Sequence, residues 1–262
     1  MRVKWGSSKK QYKLTWSTGA LVLATCGAMA AMSSVARADI VLVGATPAAS
    51  FVDLGAQGFG NAPRMLTLQT NTVESGSVTP INVVNGDAVP GANKSTTPTL
   101  SALGWNSGAN VGIGFNSDQS GQTGITMQSL TLTIYNGTTA VGSFNLAPSL
   151  TPLTFTAADL ALQPGNGSAV FDFKLTAAEQ TAFNLILAMP GSSGFFAGLG
   201  STLGCPAGAP AGCLPSNDGP DSFIGFAQTS VVPLPGALPL FVTGLVGLGL
   251  LGRRRRKVRT VA

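Results

Sequence analysis

From Val231 to Leu251 the chain reads VVPLPGALPLFVTGLVGLGLL without one charge, and Arg253, Arg254, Arg255, Arg256 and Lys257 follow directly. A run this apolar has no place on the surface of a domain in water, so it fixes the topology of whatever precedes it. A helix from Ala237 to Gly252 would measure about 24 Å at 1.5 Å per residue, against roughly 30 Å of hydrocarbon. Extending the span back to Val231 and snorkelling of the arginines close most of that gap, although Pro233, Pro235 and Pro239 make a poor helix on the entry side. The expected order is a proline motif at 232–235, a transmembrane helix at about 237–252 and a basic tail at 253–259. The basic cluster acts as a stop-transfer signal and stays cytoplasmic, which puts the preceding chain across the membrane.

The opposite end supplies the export signal that this topology requires. Arg2, Lys4, Lys9, Lys10 and Lys13 form a basic region, Leu14 to Met32 an apolar one, and Ala36-Arg37-Ala38 a small-x-small site. Residues 1–38 are therefore expected to be a secretory signal peptide cleaved between Ala38 and Asp39. Thr15, Ser17, Thr18 and Gly19 leave an apolar core too short for an uncleaved anchor.

Together these two ends, and above all Val232, Pro233, Leu234 and Pro235 followed by a short membrane segment and an arginine block, resemble the PEP-CTERM sorting signal. The resemblance spans Val232 to Val258. It implies processing at or near the proline motif by an exosortase, a membrane cysteine transpeptidase or protease. It also implies passage through the export machinery and inner membrane to the surface or exopolysaccharide matrix of a Gram-negative-type bacterium. Leu234 stands where the commonest form of the motif has Glu, which bears on which sorting enzyme reads it. The alternative is a permanently membrane-anchored domain.

Removal of both ends inverts the charge. The whole chain carries a formal +5, but residues 39–230 hold only Arg64, Lys94 and Lys174 against all ten acidic residues, a formal −7. Nucleic acid is excluded as a partner, because an acidic surface has the wrong sign for a phosphate backbone.

Residues 39–230 are long enough for one core and read as an all-β domain: an antiparallel β-sandwich of about eight to ten short strands with one or two short connecting helices. Gly and Pro number 34 and 16 in 262 residues, which predicts many turns in a folded chain rather than low complexity. The strongest strand signal lies between Ile125 and Leu146. Leu130, Leu132 and Ile134 alternate with hydroxyl residues, and Asn136-Gly137 predicts a hairpin through a type I′ turn. Val111-Ile113-Phe115 and Ala169-Phe171-Phe173-Leu175 are further period-two runs, with shorter candidates at 40–43, 51–54, 65–69, 81–84, 183–188 and 223–227. Thr156 before Asp159 and Thr176 before Glu179 predict two short capped helices.

Loss of the signal peptide removes Cys26 and leaves Cys205 and Cys213, which predicts a disulfide in an oxidising compartment. Closing its loop of about nine residues stabilises the fold by about 2.6 kcal/mol on the chain-entropy account. A metal clasp would need two more ligands, and the chain has no histidine.

The same absence removes every Ser-His-Asp and Cys-His arrangement. Carboxylate chemistry would need two acids facing each other across a sugar, and none of the ten stands in such a sequence context. No cofactor and no enzymatic activity are expected. Ser216-Asn217-Asp218-Gly219-Pro220-Asp221 lacks the spacing of an EF-hand loop and reads as an Asx-bonded turn, with a calcium loop as the alternative. Trp105, in Gly-Trp-Asn-Ser-Gly, is the candidate ligand platform if exposed and a core plug if not. The reading that results is a structural or adhesive protein of the surface or matrix, with a polysaccharide-binding or polysaccharide-modifying protein as the alternative.

Overall fold

The structure is a computed structural model and describes residues 39–228 except 55–58, 60, 61, 120–122, 164–166, 168 and 218. The expected signal peptide with Ala36 and Ala38, the sorting motif Val232–Pro235, the membrane segment and the stop-transfer residues Arg253–Lys257 lie outside the described residues. Among the described residues no helix is long and apolar enough to cross a membrane.

The described chain is all-β with few helices, as expected. Its strands are β1 (Asp39–Leu42), β2 (Phe51–Asp53), β3 (Arg64–Leu68), β4 (Asn71–Thr79), β5 (Val83–Gly86), β6 (Val111–Asn116), β7 (Ile125–Asn136), β8 (Thr139–Leu146), β9 (Leu153–Phe155), β10 (Ala169–Leu175), β11 (Phe196–Gly204), β12 (Ser216–Asn217) and β13 (Asp221–Ala227). Two helices join them, α1 (Ala157–Leu160) and α2 (Ala177–Leu187).

These thirteen strands exceed the eight to ten expected, and they form one sheet in the order β12-β4-β11-β7-β8-β1-β10-β6-β13-β3. Flanking strands β5, β9 and β2 pair with β4, β7 and β10. The two sheets foreseen from the sequence are continuous through β1, which pairs antiparallel with β10 and parallel with β8. The sheet curls until its ends meet, where the Val89 amide beyond β5 donates to Thr67 of β3 at 2.8 Å. This junction protects the backbone edge that an open sheet would expose.

Strand β10 is central because it is apolar on both faces. Ala169, Phe171, Phe173 and Leu175 enter the core, whereas Val170 on the opposite face is also buried. Its neighbour β6 makes room for this second layer with glycine: a Cβ on Gly114 would lie 2.9 Å from Val170 Cβ and 3.0 Å from Ile224 Cγ1.

The β7–β8 hairpin forms as expected, with a different turn. Asn136 pairs with Thr139, so the central residues are Gly137 and Thr138, and of these only Gly137 has positive φ, at 60°. That matches a II′ turn rather than I′, because only the first central position needs glycine. A bulge opposite Thr202/Leu203 shifts the inward phase of β7 from Ile125 and Met127 to Leu130, Leu132 and Ile134.

Two apolar runs depart from expectation. Residues 183–187 belong to α2, with Ala188 as its C-cap, and the helix buries Phe183 and Ile186 one turn apart and leaves Leu185 70% exposed. Ile81 lies in the β4–β5 turn at φ 65° and 76% exposure, so β5 begins only at Val83. The Thr156–Asp159 capping box is complete, whereas Thr176 makes no side-chain cap and Glu179 is buried instead.

Gly114→Ala is expected to destabilise the domain by about 1–3 kcal/mol through overpacking between β10 and β13. Chemical denaturation of the two proteins under one buffer condition checks this.

Candidate functional site

On β11, Gly198 and Gly200 face outward while Ala197, Leu199, Ser201 and Leu203 face the core. Strands β4 and β7 flank it and present Ser75, Ser77 and Thr79 on one side and Ser129, Thr131, Thr133 and Tyr135 on the other. Missing side chains on the middle strand and hydroxyls on both neighbours produce a groove of about 530 Å³. Cross-strand register puts Ser77, Gly200 and Thr131 in one row and Ser75, Thr202 and Ser129 in the next. Within these rows the Ser75 and Thr202 hydroxyls lie 3.0 Å apart, and Thr131 Oγ1 donates to Asn145 Oδ1 at 2.9 Å. Tyr135 lies across the floor, its ring edge 2.9 Å from where a Cβ of Gly198 would be.

Among the described residues, no charged side chain lines this groove. It offers hydroxyls that donate and accept, an aromatic face and close access to backbone. These groups suit a neutral polyhydroxylated ligand. The sequence reading missed the groove, since NTVESGSVT and FAGLGSTLG have too few large apolar residues to stand out as strands. Alternation of Ala197, Leu199 and Leu203 with glycine was the one available signal.

A smaller depression of about 160 Å³ gathers Arg64, Lys94, Asp118 and Asn116, with the Arg64 guanidinium 4.8 Å above the Phe59 ring. Two of the three cations of residues 39–230 thus share one pocket with a carboxylate.

Of the residues singled out from sequence, Cys205 and Cys213 form the expected disulfide, with Cα atoms 5.8 Å apart. Trp105 corrects the platform reading: it is 2% exposed, its Nε1 donates to the Phe226 carbonyl at 2.8 Å, and its ring meets Phe183 edge-on at 6.2 Å. Once the indole N–H found a partner inside, burial of the ring was favoured over exposure. Asp39 opens β1 beside α2, and its carbonyl accepts from the Thr176 amide at 3.2 Å. Ser216 and Asp221 are both buried, so the 216–221 segment is anchored at its two ends rather than being a free surface loop.

Four carboxylates in the interior were not anticipated as such, Glu179 of α2 among them. Asp172 is 4% exposed on the outer face of β10 and accepts from Gln228 Nε2 at 2.8 and 2.9 Å. Glu74 and Asp221 are wholly buried and act on each other.

Burial pushes the Asp172 carboxyl from its usual 3.8 up to about 7, against the opposing effects of Gln228 and nearby Lys174. Between those values the folded chain holds a proton that the unfolded chain has released, so stability falls as pH rises from about 4 to 7 and levels off above. Asp172→Asn is expected to flatten that fall by at most about 4 kcal/mol, as measured by urea denaturation across the same range. Glu74, Glu179 and Asp221, also raised by burial, slope the same way in both proteins.

Comparison with protein-family models, curated proteins and solved structures finds no match to this chain, so its function rests on its own residues and geometry.

Proposed function

We propose that this chain is an exported, non-enzymatic structural or adhesive protein of a bacterial surface or exopolysaccharide matrix. Its C-terminal signal is processed by an exosortase, and the domain contacts neutral polysaccharide through the β4-β11-β7 groove. The observation that carries the contact is the uncharged groove itself, hydroxyl-walled, glycine-floored and crossed by Tyr135. A formal charge of −7 over residues 39–230 makes an uncharged site the part of the surface best suited to a neutral polymer.

Delivery is supported by the residues at the two ends, the proline motif with its arginine block and the small-x-small site before Asp39. The Cys205–Cys213 disulfide fits an oxidising destination. Against hydrolysis of glycosides, Glu74 and Asp221 are buried and adjacent rather than set across an open cleft.

Intact-mass spectrometry of the protein recovered from its host tests delivery. A species beginning at Asp39 and ending near residues 231–235 is expected, whereas an intact Ala262 confined to membranes would leave a plain anchored domain. Affinity electrophoresis in gels containing the host's purified neutral exopolysaccharide tests the contact. Retardation is expected to weaken by about tenfold in apparent affinity, or about 1.4 kcal/mol, with Tyr135→Ala. Retardation unchanged by that substitution would remove the groove from the function.

A further inference from the structure

The first and last described residues of the domain come together at one edge of the sheet. Asp39 opens β1 level with Thr176, whose amide donates to its carbonyl at 3.2 Å. Along the same edge β10 ends beside the start of β6, with Lys174 opposite Gly112, and β6 starts beside the end of β13, with Val111 opposite Ala227. Gln228 is fastened there, its amide donating to the Asn110 carbonyl at 2.9 Å and its Nε2 to both Asp172 oxygens. Only Thr229 and Ser230 separate Gln228 from the uncharged run that begins at Val231. Three residues reach about 11 Å at full extension, so a membrane entered by that run lies against this edge.

A second observation concerns α2, which lies across the same edge. Gln180 Nε2 donates to the Leu175 carbonyl at 3.0 Å, and Asn184 Oδ1 accepts from the Gly108 amide at 2.8 Å. Inward the helix buries Phe183 and Ile186, with Phe183 against Trp105 and Phe144. Its one charged residue, Glu179, is buried as well. Apart from Asn184, the exposed positions from Ala177 to Met189 are Ala177, Ala178, Thr181, Leu185, Ala188 and Met189. None of them carries a charge, and Leu185 is 70% and Met189 42% exposed. A helix between a domain and water ordinarily turns charged and polar residues outward, whereas one that is apolar on both sides has an apolar neighbour on both.

We propose that the outward side of α2 is a lipid-contact surface, seated on the bilayer that residues 231–252 enter for as long as the tail remains attached. The inference rests on the reading of those residues as a membrane span. Two independent features select lipid as the occupant. The short tether fixes this edge at the bilayer, and the side presented there has little to desolvate beyond the Thr181 hydroxyl and the Asn184 amide. For a domain with a formal charge of −7, an uncharged side is also the one that meets anionic headgroups with least repulsion. Seated in this way, the domain would hold the proline motif at the bilayer surface, within reach of a membrane enzyme.

The test places a photo-crosslinking amino acid, p-benzoylphenylalanine, singly at positions 185, 189 and 162 of the full-length chain reconstituted in phosphatidylcholine vesicles. Leu162 is the control: it is 38% exposed, and its neighbour Gln163 accepts from the Ser117 amide just past the opposite end of β6. Chains that resist alkaline extraction have an inserted tail, and irradiation of these is expected to give severalfold more lipid adducts at 185 and 189 than at 162. Leu185→Glu, at an exposed position, should keep the melting temperature and lower the adducts at 189 severalfold. Extraction-resistant chains with no preference for 185 and 189 over 162 would overturn the contact and leave the membrane span standing. Adducts at 185 to a second copy of the chain in place of lipid would overturn it in favour of a dimer. Release of every chain by alkali would remove the span and the inference together.

Discussion

Four phenylalanines in sequence across the core connect the two halves of the curled sheet. Phe223 of β13 lies 4.8 Å from Phe115 of β6, Phe115 lies 5.0 Å from Phe155 of β9, and Phe155 lies 4.8 Å from Phe171 of β10. Phe155 is the one that crosses, since β9 hydrogen-bonds to β7 while its partners stand on the opposite half. Each ring contributes about 1.5–3 kcal/mol of burial, and tilted pairs at these separations contribute somewhat more than area alone. Without this column the outer features of the sheet would have no fixed spacing.

The groove follows from that packing. An inward-facing Ala197, Leu199 and Leu203 force Gly198 and Gly200 outward, and the register with β4 and β7 then sets hydroxyls along both sides of a glycine floor. Glycine has two different uses in this sheet. On β6 it admits a second apolar layer against Val170 and Ile224, and on β11 Gly198 lets Val78 O and the Tyr135 ring close in over the strand.

The buried acids Asp172 and the Glu74–Asp221 pair differ in character. Asp172 is satisfied by Gln228, the last described residue before the apolar tail, so the end of the domain is fastened to its central strand. Glu74 and Asp221 are fastened by neutral donors yet lack positive charge, and their surroundings keep oxygens without partners. A domain with only three cations between residues 39 and 230 has few internal means of neutralising buried acids. Burial instead raises their carboxyl groups, so that they hold protons.

Local signals in the sequence determined the all-β class, the β7–β8 hairpin, the Thr156–Asp159 cap and the disulfide, because each depends on residues close together in the chain. They also carry the export and sorting reading, whose residues lie at the two ends. Tertiary packing decided the rest. It turned residues 183–187 into a helix face, sealed Trp105 inside, recruited glycine- and serine-rich β4 and β11 into the sheet, and brought Glu74 to Asp221. None of these was legible in order along the chain, since burial and cross-strand register are set by residues distant in sequence, and a strand of small residues gains its stability from neighbours rather than from its own side chains.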